Sequence, residues 1–153
     1  MPRFIGCDPG KVTGLCSFTV DEDNIPKNIE HWQLDHIAVG RWFEQWKTIN
    51  GVSIKDTVIA MESFIVTPGS LKKNFQAYSL ETIGLVRYFV ETSGLQMRMS
   101  APSAHKSLVL DDVLKRAGLW FPNEGHACDA ARVSMHVAVV DHKLLRQYLK
   151  EEE

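Results

Sequence analysis

Residues 4–10 read FIGCDPG, a short apolar run that ends in an aspartate and a turn. Side chains alternate along a strand, so Phe4, Gly6 and Asp8 would share one face, with Asp8 at its polar end. The Pro-Gly pair that follows favours a tight reversal of the chain. The stretch therefore predicts a first strand over Arg3–Asp8. Asp8 would then be either a turn residue or a carboxylate presented at the end of the strand.

The rest of the chain alternates between strand and helix patterns. Acidic and Pro-containing turns separate two further strands, and Trp42, Phe43 and Trp46 recur at helical spacing. The later apolar runs differ in length: the short ones indicate strands, and the longer ones indicate helices. The predicted strands cover residues 15–20, about 29–34, 57–61 and 96–100, and the predicted helices cover 38–49, 75–92, 103–118 and 125 to about 142.

This order of elements resembles that of the ribonuclease H-like fold. It predicts an α/β protein with a mixed five-stranded sheet flanked by helices, in which the first three strands form an antiparallel meander. With 153 residues, the chain has the size of one compact domain. We therefore expect residues 1–153 to form a single nuclease-type domain.

Four side chains from distant parts of the sequence are predicted to meet. Glu62 ends the apolar run VIAME, and pairing of its strand with the first strand would bring it beside Asp8. His126 and Asp129 in GHACDAA lie one helical turn apart, beside a stripe of small residues that allows close packing. Clustered carboxylates are costly unless cations compensate them. The cluster favours a two-metal phosphodiester-cutting site that takes Mg²⁺ or Mn²⁺. Taken singly, each residue could instead be a solvated strand end or a helix-dipole partner.

Four segments in this order resemble the RuvC-type resolvases, nucleases of the ribonuclease H-like superfamily that cut four-way DNA junctions as dimers. The first acidic strand and turn matches FIGCDPGKVTG, and the second acid matches VIAMESF. APSAHKSLV is similar to the family segment APxxVKxAV, and GHACDAARV is similar to its final helix. The resemblance extends from Phe4 to Val133.

The resemblance also implies roles for individual residues. Metal ligands at the catalytic centre would be Asp8, Glu62, His126 and Asp129. In the APxxVK-like segment, Lys106 would be a catalytic residue close to the scissile phosphate, and His105 would contact DNA. The family carries a junction-wedging aromatic residue in the loop after the second acid, where this chain offers Phe64 and Phe75. Lys72 and Lys73 in the same loop are candidate phosphate contacts. Weaker candidates for DNA contacts are Arg98, Lys115, Arg116 and Arg132.

One departure from the family concerns the segment after Lys106. Resolvases of this type continue with a glycine-rich turn and a second lysine, whereas this chain reads LVLDDVLKRAGLW. A shorter segment without those glycines resembles compact viral or phage resolvases. We therefore expect a loose preference for branched DNA over a narrow cutting sequence.

The function implied is that of a structure-selective DNA endonuclease acting on four-way (Holliday) junctions, and on other branched DNA such as flaps and forks. The long apolar segment at 75–92 carries more apolar surface than one sheet can bury, which favours a homodimer making paired nicks.

Three alternatives fit parts of the pattern: a YqgF-like nuclease acting on RNA, a branched-DNA-binding module without catalysis, and a nucleotide-binding domain of the actin and sugar-kinase type. The last needs two such domains and a second phosphate loop, which the length does not accommodate.

Composition agrees with a nucleic-acid partner once the acids are sorted. The formal net charge is −2, but nine of the 19 acidic residues lie in the 151–153 tail, in the turn at 21–23 and among the candidate ligands. The remaining acids are outnumbered by 17 Lys and Arg, so a basic surface is expected. No apolar run reaches the roughly 20 residues that span a bilayer, and no signal-peptide pattern opens the chain. We expect no membrane partner and a cytoplasmic location, or the host cytoplasm for a viral protein.

Overall fold

A computed structural model of the protein describes residues 1–50, 54–63 and 76–150. These residues form one five-stranded sheet with helices on both faces. The strands are β1 (Arg3–Asp8), β2 (Val12–Val20), β3 (Pro26–Asp35), β4 (Thr57–Glu62) and β5 (Gln96–Ser100). The helices are α1 (Val39–Asn50), α2 (Gln76–Ser93), α3 (Pro102–Leu108), α4 (Asp111–Ala117) and α5 (Gly125–Val140). Short 3₁₀ turns lie at His36–Ala38, Ile54–Asp56 and Arg146–Leu149.

The strand order across the sheet is β3-β2-β1-β4-β5. The first three strands pair antiparallel in sequence order, and β4 joins β1 in parallel before β5 extends that parallel half. A mixed sheet that opens with a meander was predicted from the sequence, and this prediction is confirmed. The predicted bounds of β1 and β5 are also the observed ones.

Alternating side chains divide the core into two layers. Phe4, Phe18 and Val58 point to one face, where they pack against α4 and α5. Ile5 and Ile59 point to the other face, where α1 and α2 cover them. Odd and even positions of β1 therefore lie in different cores, as the period of two requires. Asp8 follows Phe4 and Gly6 along the α5 side of the sheet.

The segment predicted as one helix over 103–118 is two helices, and that prediction was wrong. The chain leaves helical geometry at Val109 and Leu110, whose ψ angles are 87° and 166°. The guanidinium of Arg132 on α5 donates to the Val109 carbonyl and to Asp111. A buried arginine thus takes up a carbonyl that a continuous helix would have used, and helical periodicity alone does not reveal such a tertiary contact.

The longest described helix is α2, with 18 residues. Neither α2 nor any other helix in residues 1–50, 54–63 and 76–150 is long and apolar enough to cross a membrane.

Candidate active site

Asp8 and Glu62 lie at the carboxyl ends of adjacent parallel strands. The register of β1 and β4 pairs Phe4 with Val58 and Cys7 with Met61, which leaves the two acids next in line. Both follow the alternation that points toward α5. Each side chain is largely buried, with 15% of Asp8 and 17% of Glu62 exposed. The strand pairing therefore brings together two carboxylates that are 54 positions apart in the chain.

Two glycines allow α5 to lie directly on the sheet. A β-carbon on Gly6 would collide with the backbone carbonyl of Ala130, and one on Gly14 would collide with that of His126. Ala130 and its neighbours on this face are small, so the helix backbone itself contacts the strands. This close approach carries His126 and Asp129 to the ends of β1 and β4.

The turn that follows Asp8 is fixed from two sides. Thr13 donates its hydroxyl to the Gly10 carbonyl at 3.0 Å, which closes the turn locally. Ser79 of α2 donates to the Pro9 carbonyl, also at 3.0 Å. These two bonds hold the end of β1 against the rest of the fold, so the direction of Asp8 is determined by more than its own turn.

Each of the three predicted acidic ligands has a polar contact with a nitrogen-bearing side chain. His126 Nδ1 lies 3.2 Å from Asp8 Oδ2. On the same helix, Asp129 Oδ1 lies 3.6 Å from Arg132 Nε, one turn further on. Glu62 Oε2 lies 3.8 Å from Nε2 of the buried His105. Each acid thus has a basic side chain nearby, supplied by α3 or α5.

The pKa values of two of these acids are raised by burial and by the nearby charge of Asp8. Burial, and then the charge of Asp8, raise the pKa of Glu62 to about 7, against the opposing effect of Lys106. Burial and the charge of Asp8 also raise the pKa of Asp129. The hydrogen bond to Asp8 raises the pKa of His126, and partial burial opposes it. Asp8 contributes to all three shifts, so the three groups share one electrostatic site.

The donor set fits a hard divalent cation. Carboxylate oxygens suit Mg²⁺ and Mn²⁺, and an imidazole nitrogen is acceptable to Mn²⁺. Burial and then the charge of Asp8 raise the pKa values of Glu62 and Asp129, and a cation bound between these acids would offset both effects. Within the described ranges, no three His, Cys, Asp or Glu side chains are already grouped as a metal cage. The contact of Asp8 with His126 at 3.2 Å offsets part of the negative charge.

A groove of about 580 Å³ runs beside Asp129. Lys106 and Lys115 line it together with Arg132 and the acids at the start of α4. Lys106 is exposed, and its charge lowers the pKa values of both Glu62 and Asp129. The positively charged Lys106 side chain lies next to the acids and faces the groove, so it is well suited to neutralise a phosphate that enters there.

The other sequence-predicted residues divide into three groups. His105 was predicted to contact DNA, and its side chain is fully buried in this structure. Arg132, a weaker candidate for a DNA contact, is 8% exposed and bonded to Val109 and Asp111. The candidate wedge and phosphate contacts Phe64, Phe75, Lys72 and Lys73 lie outside the described residues.

Several residues near the site were not predicted. Gln33 of β3 accepts the His126 backbone N–H at 3.0 Å and so caps the start of α5. Ser100, at the end of β5, is paired with Glu62 and contacts His105 and His136. The motif-like segments gave no signal for Gln33 or Ser100, because both make contacts with residues distant in the sequence that are visible only in three dimensions.

Comparison with solved structures gives the fold a precedent. Thermus thermophilus RuvC in complex with a Holliday junction substrate superposes with a TM-score of 0.68 at 16% identity, over 92% of this chain and 96% of that one. A second Thermus thermophilus RuvC structure gives a TM-score of 0.65 at 18% identity, with the same coverage of both chains. No family model and no curated protein sequence matches the chain. The protein therefore has the ribonuclease H-like fold of RuvC.

Proposed function

We propose that this protein is a metal-dependent DNA endonuclease that resolves four-way junctions and acts on other branched DNA. The observation that carries the proposal is the convergence of Asp8, Glu62, His126 and Asp129 at one end of the sheet, with raised pKa values for the last three. Support comes from the fold, since a protein with the same fold is described in complex with a Holliday junction substrate. Fold alone does not define a substrate, and the site is therefore the main argument.

In this proposal, Asp8, Glu62, His126 and Asp129 hold two divalent cations, Mg²⁺ or Mn²⁺. Such cations, when bound, would activate water and neutralise the leaving oxygen of a phosphodiester. Lys106, exposed in the groove beside Asp129, offsets the charge of the scissile phosphate. The groove has a volume of about 580 Å³, and Asp129 is the proposed ligand that lines it.

A homodimer is part of the proposal. Leu80 and Tyr88 on α2 are 48% and 71% exposed, and Gly84 lies between them on the same helical face. A β-carbon on Gly84 would meet no atom of the described residues within 4 Å, so Gly84 leaves the centre of the stripe open within that part of the chain. An exposed apolar stripe with a glycine at its centre suits helix packing about a two-fold axis, which would supply two sites for paired nicks.

The substrate can be tested with a panel of labelled nucleic acids. Four-way junctions, flaps and linear duplex DNA would be incubated beside structured RNA, with Mg²⁺, with Mn²⁺ and with a chelator. The expected result is paired cutting of the junction that requires metal and exceeds cutting of linear duplex. Asp8→Asn would remove cutting with junction binding retained, because the amide keeps the shape and loses the charge. The matched control is Asp23→Asn, in the exposed turn before β3, which should cut normally.

Two results would replace the proposal with another function. Metal-dependent cutting of structured RNA, with the junction left intact, would indicate an RNA-processing nuclease. Tight junction binding with no cutting under any metal would indicate a branched-DNA-binding protein in which the acids serve another purpose.

A further inference from the structure

Ser100 connects two histidine rings at the edge of the candidate site. It is the last residue of β5, it pairs in register with Glu62, and it is 7% exposed. Its hydroxyl oxygen lies 3.2 Å from Nδ1 of His105 on α3 and 3.3 Å from Nδ1 of His136 on α5. A continuous polar path therefore leads from α5 through β5 and α3 to Glu62.

Among the residues that the structure describes, the far side of the His105 ring has no hydrogen-bond partner. Its Nε2 atom is buried without one, and the nearby acceptor is Glu62 Oε2 at 3.8 Å. That separation is longer than a hydrogen bond. A rotation of the Glu62 carboxylate that moves Oε2 by about 1 Å would bring the two atoms within hydrogen-bond distance. Since buried polar groups are rarely left unpaired, the orientation of Nε2 toward a carboxylate calls for an explanation.

The contacts favour one position for the proton of the His105 ring. If Nδ1 carried it, Nε2 would turn a lone pair toward Glu62, which is unfavourable when Glu62 has the negative charge that a metal ligand needs. The opposite tautomer turns an N–H toward Glu62 and leaves Nδ1 to accept the proton of the Ser100 hydroxyl. The Ser100 oxygen is then free to accept an N–H from Nδ1 of His136. All three side chains are consistent with this one direction of donation.

We propose that His105 is a positioning residue for Glu62: its Nε2–H orients the carboxylate, and Ser100 and His136 fix the tautomer that makes this possible. The inference rests on the proposed role of Glu62 as a metal ligand. Side chains that hydrogen-bond a metal-ligating residue fix its orientation, and their removal typically lowers metal affinity by about 10- to 100-fold. The family segment that this stretch resembles has valine at the position of His105, a side chain that cannot donate.

Two substitutions separate positioning from packing. His105→Leu fills a similar volume and has no donor, whereas His105→Gln carries an amide N–H₂ that can reach the same acceptor. With DNA absent, Mn²⁺ binding would be measured by calorimetry, and thermal melting would show that both variants fold. We expect His105→Leu to bind Mn²⁺ about 10-fold more weakly or worse, and His105→Gln to recover most of that loss. A role in packing alone would leave the two variants alike.

The tautomer is tested on the wild-type protein without metal. Nitrogen chemical shifts of the His105 ring should report a proton on Nε2, and Ser100→Ala should give a mixture of tautomers while the protein stays folded. A proton found on Nδ1, or wild-type Mn²⁺ affinity in folded His105→Leu, would overturn the proposal.

The same measurements distinguish this inference from the proposed function. If the protein cuts junctions but His105→Leu binds Mn²⁺ normally, positioning by His105 is wrong and the nuclease assignment stands. If no branched DNA is cut, yet Nε2 carries the proton and the carbon shift of the Glu62 carboxyl changes in His105→Leu, the contact stands and the nuclease assignment fails.

Discussion

His126 Nδ1 lies 3.2 Å from Asp8 Oδ2, so the first turn of α5 is joined to the end of β1 by a side-chain contact. The contact is possible because Gly14 lets the backbone of α5 touch β2 at His126 itself. Small residues on the sheet and on the helix thus determine where the polar ones meet. Substitutions that act on packing and substitutions that act on charge should therefore have separable effects.

Gly14→Ala tests the packing side. The added β-carbon would collide with the His126 carbonyl, so the start of α5 must move away from the sheet. We expect a loss of about 1–3 kcal/mol in the free energy of unfolding and a large loss of cleavage. Urea denaturation and junction cutting measure the two effects. Gly125→Ala is the control, since its β-carbon meets none of the described residues within 4 Å, and equal stability losses in both variants would contradict the argument.

Glu62→Gln should stabilise the metal-free protein and abolish its activity. Burial and Asp8 raise the pKa of Glu62 from 4.5 to about 7, so the folded state holds this proton more tightly than the unfolded state. Stability therefore falls as the pH rises from about 4.5 to 7, and the full penalty is present above pH 7. Glutamine removes that penalty, on the order of 2 kcal/mol at pH 8 and close to zero at pH 4.

The measurement is urea denaturation of wild type and Glu62→Gln in chelator at pH 4 and pH 8. The difference between the two proteins isolates Glu62 from the other groups that titrate in this range. A stability difference that does not change with pH would show that Glu62 is not under electrostatic strain.

The packing of α5 on the sheet and the position of Asp8 could be predicted from the sequence, because both follow the regular spacing of residues along a helix or a strand. Alternation placed Asp8 on the α5 side, and the small residues of α5 predicted close approach to the sheet. The break between α3 and α4 could not be predicted, because it depends on Arg132, which lies more than 20 positions away. The burial of His105 was missed for a related reason: its partners Ser100 and His136 come from other elements.

Lys106→Ala should weaken DNA binding without weakening metal binding. The Lys106 charge lowers the pKa values of Glu62 and Asp129, so its removal raises them, and the loss of the same positive charge favours a divalent cation at these acids. If Lys106 also meets a phosphate, the slope of log affinity for junction DNA against log salt should flatten by about one unit. Lys27→Ala, on the exposed edge of β3, is the control. A full salt slope in Lys106→Ala would place this lysine away from the DNA.

Tyr88→Glu should disrupt the proposed dimer. Tyr88 is 71% exposed on the α2 stripe, and a carboxylate there would have to be buried on association. Light scattering at micromolar concentration should give a dimer for wild type and a monomer for the variant, with melting temperature unchanged. Ile49→Glu is matched in exposure, at 80%, and lines a groove with residues of α1 and the first three strands, so it should remain dimeric. Wild-type protein that is monomeric with and without junction DNA would rule the dimer out.

His126 should give the enzyme a preference for Mn²⁺ and an acid limit. Imidazole is a better ligand for Mn²⁺ than for Mg²⁺, and only the neutral ring can ligate. The hydrogen bond to Asp8 raises the pKa of His126 from 6.5, so protons compete with metal at a higher pH than for an ordinary histidine. Junction cleavage with Mg²⁺ should therefore fall as the pH drops through neutrality, and less steeply with Mn²⁺.

His126→Asp should retain activity, narrow the Mn²⁺ advantage and move the acid limit to lower pH, because the pKa of a carboxyl group is lower than that of an imidazole. Wild-type rates for His126→Ala under both metals would mean that the three carboxylates bind the ions without the histidine.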